Sequence, residues 1–464
     1  MRLDAQAWER GAQASVEGTL WVGVAALALG VGSLVAVHPV LPFALIVGLA
    51  VVGVLAQSPL HMLLAFIVVL FTRPAEFFPA LSVLQLGKIS SLAALGMFVL
   101  SKVIRQDLTW AASPHNRWMM LLTGAVLLSS LVGSDRPASM ATFTDVYVKI
   151  MILYVLILNL VDSTKKISLF YVVIVSACAG LGAYALHAKI TGTATIEGSR
   201  AALVGYLGDP NDLAMTLLMA APVTLQGVMD KRGWRRTLWG IAAVLVVGGV
   251  LSTQSRGGLL GTAGAGYFLL RDKVKNQLVI GVILAFGLLL GVAAAGVSKR
   301  ASGGSGGDHE GIDESAQGRL DAWGAGARMV MARPLTGVGF SRFADNYERY
   351  VVNPVIWGKH ETHNAYIKCA SETGLPGFVG YMALILRSLW VAWRVRQRVR
   401  VGTHTCARGL FTSIVALCIS TFFLSATWSW FVYILVALSA ALDRIDRLGG
   451  FDEQVDGSAE AAAR

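Results

Sequence analysis

Residues 318–374 read GRLDAWGAGARMVMARPLTGVGFSRFADNYERYVVNPVIWGKHETHNAYIKCASETG. They continue a Gly/Ser-rich run, SKRASGGSGGDHEGIDESAQG, at residues 298–318. Together these segments form the one long polar interruption in a chain otherwise written in apolar blocks. What lies on either side reads as membrane-spanning, and the interruption reads as the place where chemistry is done.

The chain has 464 residues, of which 55% are hydrophobic and 14% charged. Its mean hydropathy is +0.62. An ordinary soluble domain carries about 25% charged residues, so this composition, with apolar blocks of spanning length, indicates an all-α polytopic membrane protein. The formal net charge is +11, but the basic residues cluster in short loops. That is the mark of membrane orientation and not of a nucleic-acid footprint. Cys178, Cys369, Cys406 and Cys418 form no C-x-x-C or Cys/His cluster, so neither a disulfide framework nor a zinc site is expected. No Walker loop, dinucleotide fingerprint or H-E-x-x-H is present, and no cofactor is expected. Charged residues Arg2, Glu9, Arg10 and Glu17 precede the first apolar block without a small-residue cleavage site after it, so that block is expected to stay as an anchor.

A spanning helix needs about 20 apolar residues. Candidate blocks are 18–38, 40–57, 60–72, 87–104, 117–133, 144–161, 167–187, 212–229, 236–252, 257–271, 277–297, 373–393, 409–425 and 427–443. Because 60–72 and 257–271 are short, the expectation is about 12–14 transmembrane helices. Strict alternation then puts Lys102, Arg105, Lys165, Lys166, Lys231, Arg232, Arg235, Arg236, Arg271, Lys273, Lys275, the arginines at 394–400, Arg444 and Arg447 on one face with both termini. By the charge rule that face is cytoplasmic. The expected organisation is an N-terminal transmembrane bundle at 1–297, a loop domain at 298–372, C-terminal transmembrane helices at 373–447 and a disordered tail at 448–464.

The opposite face receives 134–143, 188–211, 253–256, 298–372 and the turn near Ala426. Arginines there run against the charge rule. Arg200 lies in GSRAALVGYLGDPNDLA, a turn-rich loop in which Asn211 or Asp212 is expected to cap a helix from Leu213; the alternative is a solvated loop arginine. Arg256 lies in STQSRGGLLG, either lining a polar cavity or snorkelling to water. Gly257 and Gly258 open a helix whose amides favour an anion. In the long loop, DAWGAGARMVMARPLTGVGF is expected to form a short amphipathic helix ended by Pro334, with Trp323, Ala327, Val330 and Met331 on a membrane-facing side. Arg319, Arg328, Arg333 and Arg342 bring positive charge. His363 and Asn364 precede a helix expected to break near Pro376 and Gly377. A histidine there is a candidate general base or a capping histidine, and His360 is its competitor. Arginine suits a pyrophosphate because its planar fork stays charged and binds oxyanions bidentately.

These pieces resemble the O-antigen ligase and polymerase superfamily of bacterial envelope glycosyltransferases. The resemblance rests on Arg319, Trp323, Pro334, Gly337, Gly339, His363, Asn364, Glu372, Gly374 and Gly377 in order, with STQSRGG and GDPNDLA upstream. It implies a multi-pass protein of the inner membrane, with a periplasmic site that takes a glycan from undecaprenyl pyrophosphate and transfers it without metal or nucleotide. Within it, His363 would be the base toward the acceptor hydroxyl, Arg256 and Arg200 would hold the pyrophosphate with Arg319 and Arg342 in support, and Asn364 would orient. Direct displacement would invert the anomeric centre. The acceptor would be lipid A-core in a ligase, a second lipid-linked glycan in a polymerase, or a protein hydroxyl in an O-oligosaccharyltransferase. The ligase is the favoured expectation. The non-enzymatic alternative is a transporter of the same lipid, which would need the arginines but not His363.

Overall fold

The computed structural model describes residues 57–107, 109–196, 200–203, 205–271, 273–295, 314–354, 358–398 and 404–449. The chain divides into two compact units, Met1–Met62 and Leu63–Arg464; the site lies within the second. The expected spans 18–38 and 40–57 lie, but for Gln57, outside the described residues, as do 298–313 of the Gly/Ser-rich run and 450–464 of the tail.

The architecture is helical. In chain order the helices used below are α1 (Pro59–Thr72), α2 (Leu86–Ile104), α3 (His115–Val132), α4 (Arg136–Thr142), α5 (Val148–Leu160) and α6 (Thr164–Thr191). A two-residue antiparallel ladder follows, β1 (Thr195–Ile196) with β2 (Arg200–Ala201). Then come α7 (Pro210–Leu218), α8 (Ala221–Asp230), α9 (Gly233–Ser252), α10 (Arg256–Leu270), α11 (Gln277–Ala295), α12 (Glu314–Ala332), α13 (Phe343–Tyr350), α14 (Ala365–Arg398), α15 (His404–Thr421) and α16 (Trp430–Arg447).

Each expected block from 60–72 onward is occupied by helix. By length and composition, seven helical stretches among the described residues are long and apolar enough to cross a membrane: Pro59–Phe77, Pro79–Ile104, Arg136–Leu160, Thr164–Thr191, Pro210–Asp230, Gly233–Ser252 and Ala365–Arg398. Of the others, α10 has only 15 residues, and α16 ends in Asp443, Arg444, Asp446 and Arg447. Helix α9 leaves Leu238, Ile241 and Val244 exposed, as expected of a helix that is apolar all round.

Several elements depart from the sequence reading. The block 212–229 is two helices, because Pro222 at the start of α8 lacks an amide hydrogen and cannot continue a helix from α7. The Met219 carbonyl at the break accepts the Ser413 hydroxyl at 2.9 Å. Residues 136–142, expected as loop, are helical, with Asp135 capping Ala138 at 3.0 Å and one π-helical turn, Phe143–Tyr147, leading into α5. Helix α7 begins at Pro210 and is capped by Asp209, not by Asn211 or Asp212. Helix α12 starts at Glu314, inside the expected flexible run. It buries Ala322, Ala325 and Met329 against Phe343 and Tyr347, and Ala327 and Met331 of the expected membrane-facing side stand exposed on its other face.

The break in α14, expected near Pro376 and Gly377, falls at Gly374 (φ 68°, ψ −175°). The reason lies in the segment 334–339, which lodges against it. Leu375 N–H donates to Pro334 O at 2.7 Å, Val338 N–H to Ser371 O at 2.9 Å, and Gly339 N–H to Glu372 O at 3.3 Å. A Cβ on Gly374 would sit 2.6 Å from the Leu335 carbonyl carbon, and one on Gly337 (φ 66°) would sit 2.3 Å from the Glu372 carbonyl carbon. Both positions need glycine for backbone angle and for space. The Pro-x-x-Gly-x-Gly and Glu-x-Gly motifs are thus two halves of one interlock. Ser129 on α3 adds a hydroxyl bond of 2.5 Å to Glu372 O.

Candidate functional site

The interlock places the loop that precedes α14. Asn364 is buried, and its side-chain oxygen accepts the amides of Tyr366 and Ile367 at 2.9 and 3.0 Å, the geometry of a helix N-cap. His363, one residue earlier, has φ 48°, a region that costs a non-glycine residue free energy and is held only by its surroundings. Those surroundings are specific. The His363 amide donates to Ser425 Oγ at 2.8 Å, Ser425 Oγ lies 3.1 Å from Thr362 Oγ1, and the Trp323 indole donates to Thr362 O at 3.0 Å. Elements α12, α14 and the turn after α15 therefore meet at the backbone of Thr362 and His363.

The His363 ring is partly buried, 5.4 Å from that of His360, which in turn lies 5.4 Å from the ring of Tyr347. Burial first, then the charges of Arg319 and His360, lower its proton affinity below the ordinary histidine value; Glu361 and Asp209 oppose them. The side chain is therefore a neutral imidazole at neutral pH, the form that accepts a proton. Burial and the nearby Arg319 also lower His360. Burial raises the Glu361 carboxyl, but Lys368, Ser425 and His363 together outweigh it and hold the group below its usual range.

Beneath this loop runs an ion network. Lys368 reaches Glu361 at 2.6 Å and the fully buried Glu372 at 3.5 Å. Glu372 accepts the Phe343 amide at 3.1 Å and the Trp428 indole at 2.7 Å. Glu372, named above only as a motif position, is the hub joining α13, α14 and the turn before α16.

The expected arginines are distributed unequally. Arg200 on β2 is buried, not solvated: Nε donates to Thr253 O at 3.1 Å and Nη2 to Asn211 Oδ1 at 3.1 Å. It thereby ties the 200–211 loop to the turn that carries Arg256. Arg256 is exposed and opens α10, whose cap is Ser255 accepting Gly258 N–H at 3.2 Å. Arg319 is partly buried, with its charge felt by His363 and His360. Arg342 makes its contacts with Asp345 at 2.8 Å and Thr142 at 3.4 Å instead.

The sequence reading overlooked the segment 73–86, between the apolar blocks 60–72 and 87–104. Arg73 pairs with Glu76 at 2.7 Å and lies 4.3 Å from the Tyr206 ring centroid; Glu76 accepts the Tyr206 amide at 3.2 Å. Burial, reinforced by neighbouring carboxylates, pushes the Tyr206 phenol up to about 12. This clamp holds the turn that ends in Asp209, whose charge acts on His363. The visible signal was Arg-Pro-x-Glu at 73–76, a cation and an anion at ion-pair spacing directly after an apolar block.

No curated protein matches the chain. A family model described as O-antigen ligase matches residues 241–382. The matched segment contains Arg256, Arg319, Arg342, His363 and Asn364, and it supports membership of this multi-pass membrane protein in the O-antigen ligase and polymerase superfamily.

Proposed function

We propose that the protein is an O-antigen ligase of the bacterial inner membrane. It transfers a glycan from undecaprenyl pyrophosphate to lipid A-core at a periplasmic site, with both termini cytoplasmic. The reading is supported most by one observation: His363 is held in a constrained turn, where burial and the charge of Arg319 lower its proton affinity.

In this reaction the acceptor hydroxyl oxygen attacks the anomeric carbon and the bond from that carbon to the pyrophosphate oxygen breaks. The hydroxyl proton passes to His363, and the polyprenyl pyrophosphate leaves with the electron pair. One displacement inverts the anomeric centre. Charge that develops on the leaving group needs fixed cations, and Arg256 with Arg200 supplies them at the 253–256 turn. Arg319 supports them from the His363 side. Asn364 orients His363 by fixing the start of α14. Arg342, tied to Asp345, takes at most a supporting part.

The test is a reconstituted assay with undecaprenyl-pyrophosphate-linked glycan and lipid A-core. Glycan on lipid A-core, lost in His363→Ala while donor binding persists, is the expected result. Lengthening of the lipid-linked glycan would make the protein a polymerase, and glycan on an added protein acceptor an O-oligosaccharyltransferase. Transbilayer movement of the lipid with no product would replace the enzyme by a transporter.

A further inference from the structure

A groove of 350 Å³ opens between α1, α2, α5 and the start of α16. Its walls are apolar, with Phe66, Leu70, Leu86 and Trp430 among them, and its rim carries Arg73, Lys88 and Lys149 against one carboxylate, Glu76. Lys149 pairs with the exposed Asp145 at 2.5 Å, whose carboxylate also feels the charge of Lys88, and an exposed pair of that kind holds a lysine weakly. Arg73 spends one Nη on Glu76 and its face on Tyr206, which leaves a buried Nε–H without an acceptor. Three cations against Glu76 and Asp145 leave the rim net positive, and an apolar trough with such a rim matches an amphipathic molecule with an anionic head.

The groove borders the site already described. Trp430 begins the helix directly after Ser425–Ser429, the segment that holds the His363 amide, and packs edge-on against Phe66 at 6.0 Å. The Arg73–Tyr206 clamp forms its other margin. Neither Arg200 nor Arg256 lines it. A transfer between two lipid-anchored molecules requires two berths converging on one base, and the arginines at the 253–256 turn account for only one of them.

We propose that this groove is the berth of the acceptor, a glycolipid whose headgroup carries phosphate. Its chain lies against Phe66, Leu70, Leu86 and Trp430, and its phosphate sits at Lys88 and Lys149 with Arg73 completing the contact. The assignment rests on the transferase reading above and extends it to the second substrate.

The experiment compares wild type with the K88E/K149E double variant in phosphatidylcholine nanodiscs, using phosphorylated lipid A-core and its dephosphorylated form. Each cation near a membrane surface contributes about 1 kcal/mol toward an anionic lipid. The variant should therefore raise the KM for the phosphorylated acceptor tenfold or more, leave the donor KM unchanged, and show no difference from wild type with the dephosphorylated acceptor. L86W, which fills the trough without touching charge, should raise the KM for both acceptor forms. A rise in donor KM instead, unchanged constants in both variants, or equal competition by added phosphatidylglycerol would each overturn the assignment. If wild type transfers nothing to lipid A-core, the ligase reading fails on its own. The groove is then judged by native mass spectrometry of retained phosphorylated lipid A, where equal retention by wild type and K88E/K149E overturns it and loss in the variant supports it.

Discussion

The backbone amide of His363 donates to the side-chain oxygen of Ser425 at 2.8 Å, across 62 residues of sequence. This bond fixes the left-handed turn at His363 from a different part of the bundle. It makes the position of the proposed base a property of the assembled fold.

Ser425→Ala removes that acceptor and leaves a partly buried amide unpaired, a cost of about 1–3 kcal/mol. The expected outcome is a fall in kcat of about tenfold or more with little change in donor binding. Ser425→Thr, which keeps the hydroxyl, should recover part of the loss. Steady-state transfer assays on the two variants decide the matter, and an unaffected Ser425→Ala enzyme would remove the positioning role.

The pH dependence carries a sign that can be checked. His363 has a folded proton affinity below the ordinary value of about 6.5. Its base form therefore dominates at neutral pH, and activity is lost only as pH falls through the lowered value. Arg319→Gln removes a charge that lowers it, so the acidic limb of kcat/KM should move to higher pH. Asp209→Asn removes a charge that raises it, and the limb should move to lower pH. Limbs that stay fixed in both variants would assign the titration to another group.

Arg256→Lys preserves charge but not the planar fork. Loss of one charge-assisted hydrogen bond costs about 1.5–3 kcal/mol, so donor kcat/KM should fall between about tenfold and a hundredfold. An arginine that only reaches for water would tolerate lysine, and equal kinetics would show that.

Lys368→Met should act on stability. It leaves Glu372, which has no exposed surface, without its cation, and breaking a buried pair costs about 3–5 kcal/mol. Thermal unfolding in detergent should show a large loss, with partial recovery in the double variant Lys368→Met/Glu372→Gln because the unpaired charge is gone. A double variant as unstable as the single one would argue against the pair as the cause.

Much of this protein was legible in its sequence. Hydropathy alone located a helix in each described block, since an apolar stretch in lipid must satisfy its backbone internally. The arginine positions and His363 also stood out, because charge on the outward face runs against the orientation rule. Spacing could not tell Arg200, buried and bonded to Thr253, from Arg342, paired with Asp345. The difference depends on which segments pack together.

Local chemistry by itself determined the apolar helices and the presence of a polar segment rich in arginine with a His-Asn pair. Only the tertiary structure decided what the glycine motifs do. Gly337 and Gly374 are 37 positions apart in the chain, and each is required because another backbone passes within 3 Å of where its side chain would be. The same holds for Glu372 as a buried hub, for Ser425 beneath His363, and for the Arg73–Tyr206 clamp. Propensity and periodicity are read along a chain, whereas steric exclusion and the pairing of buried charge depend on residues that only folding brings together.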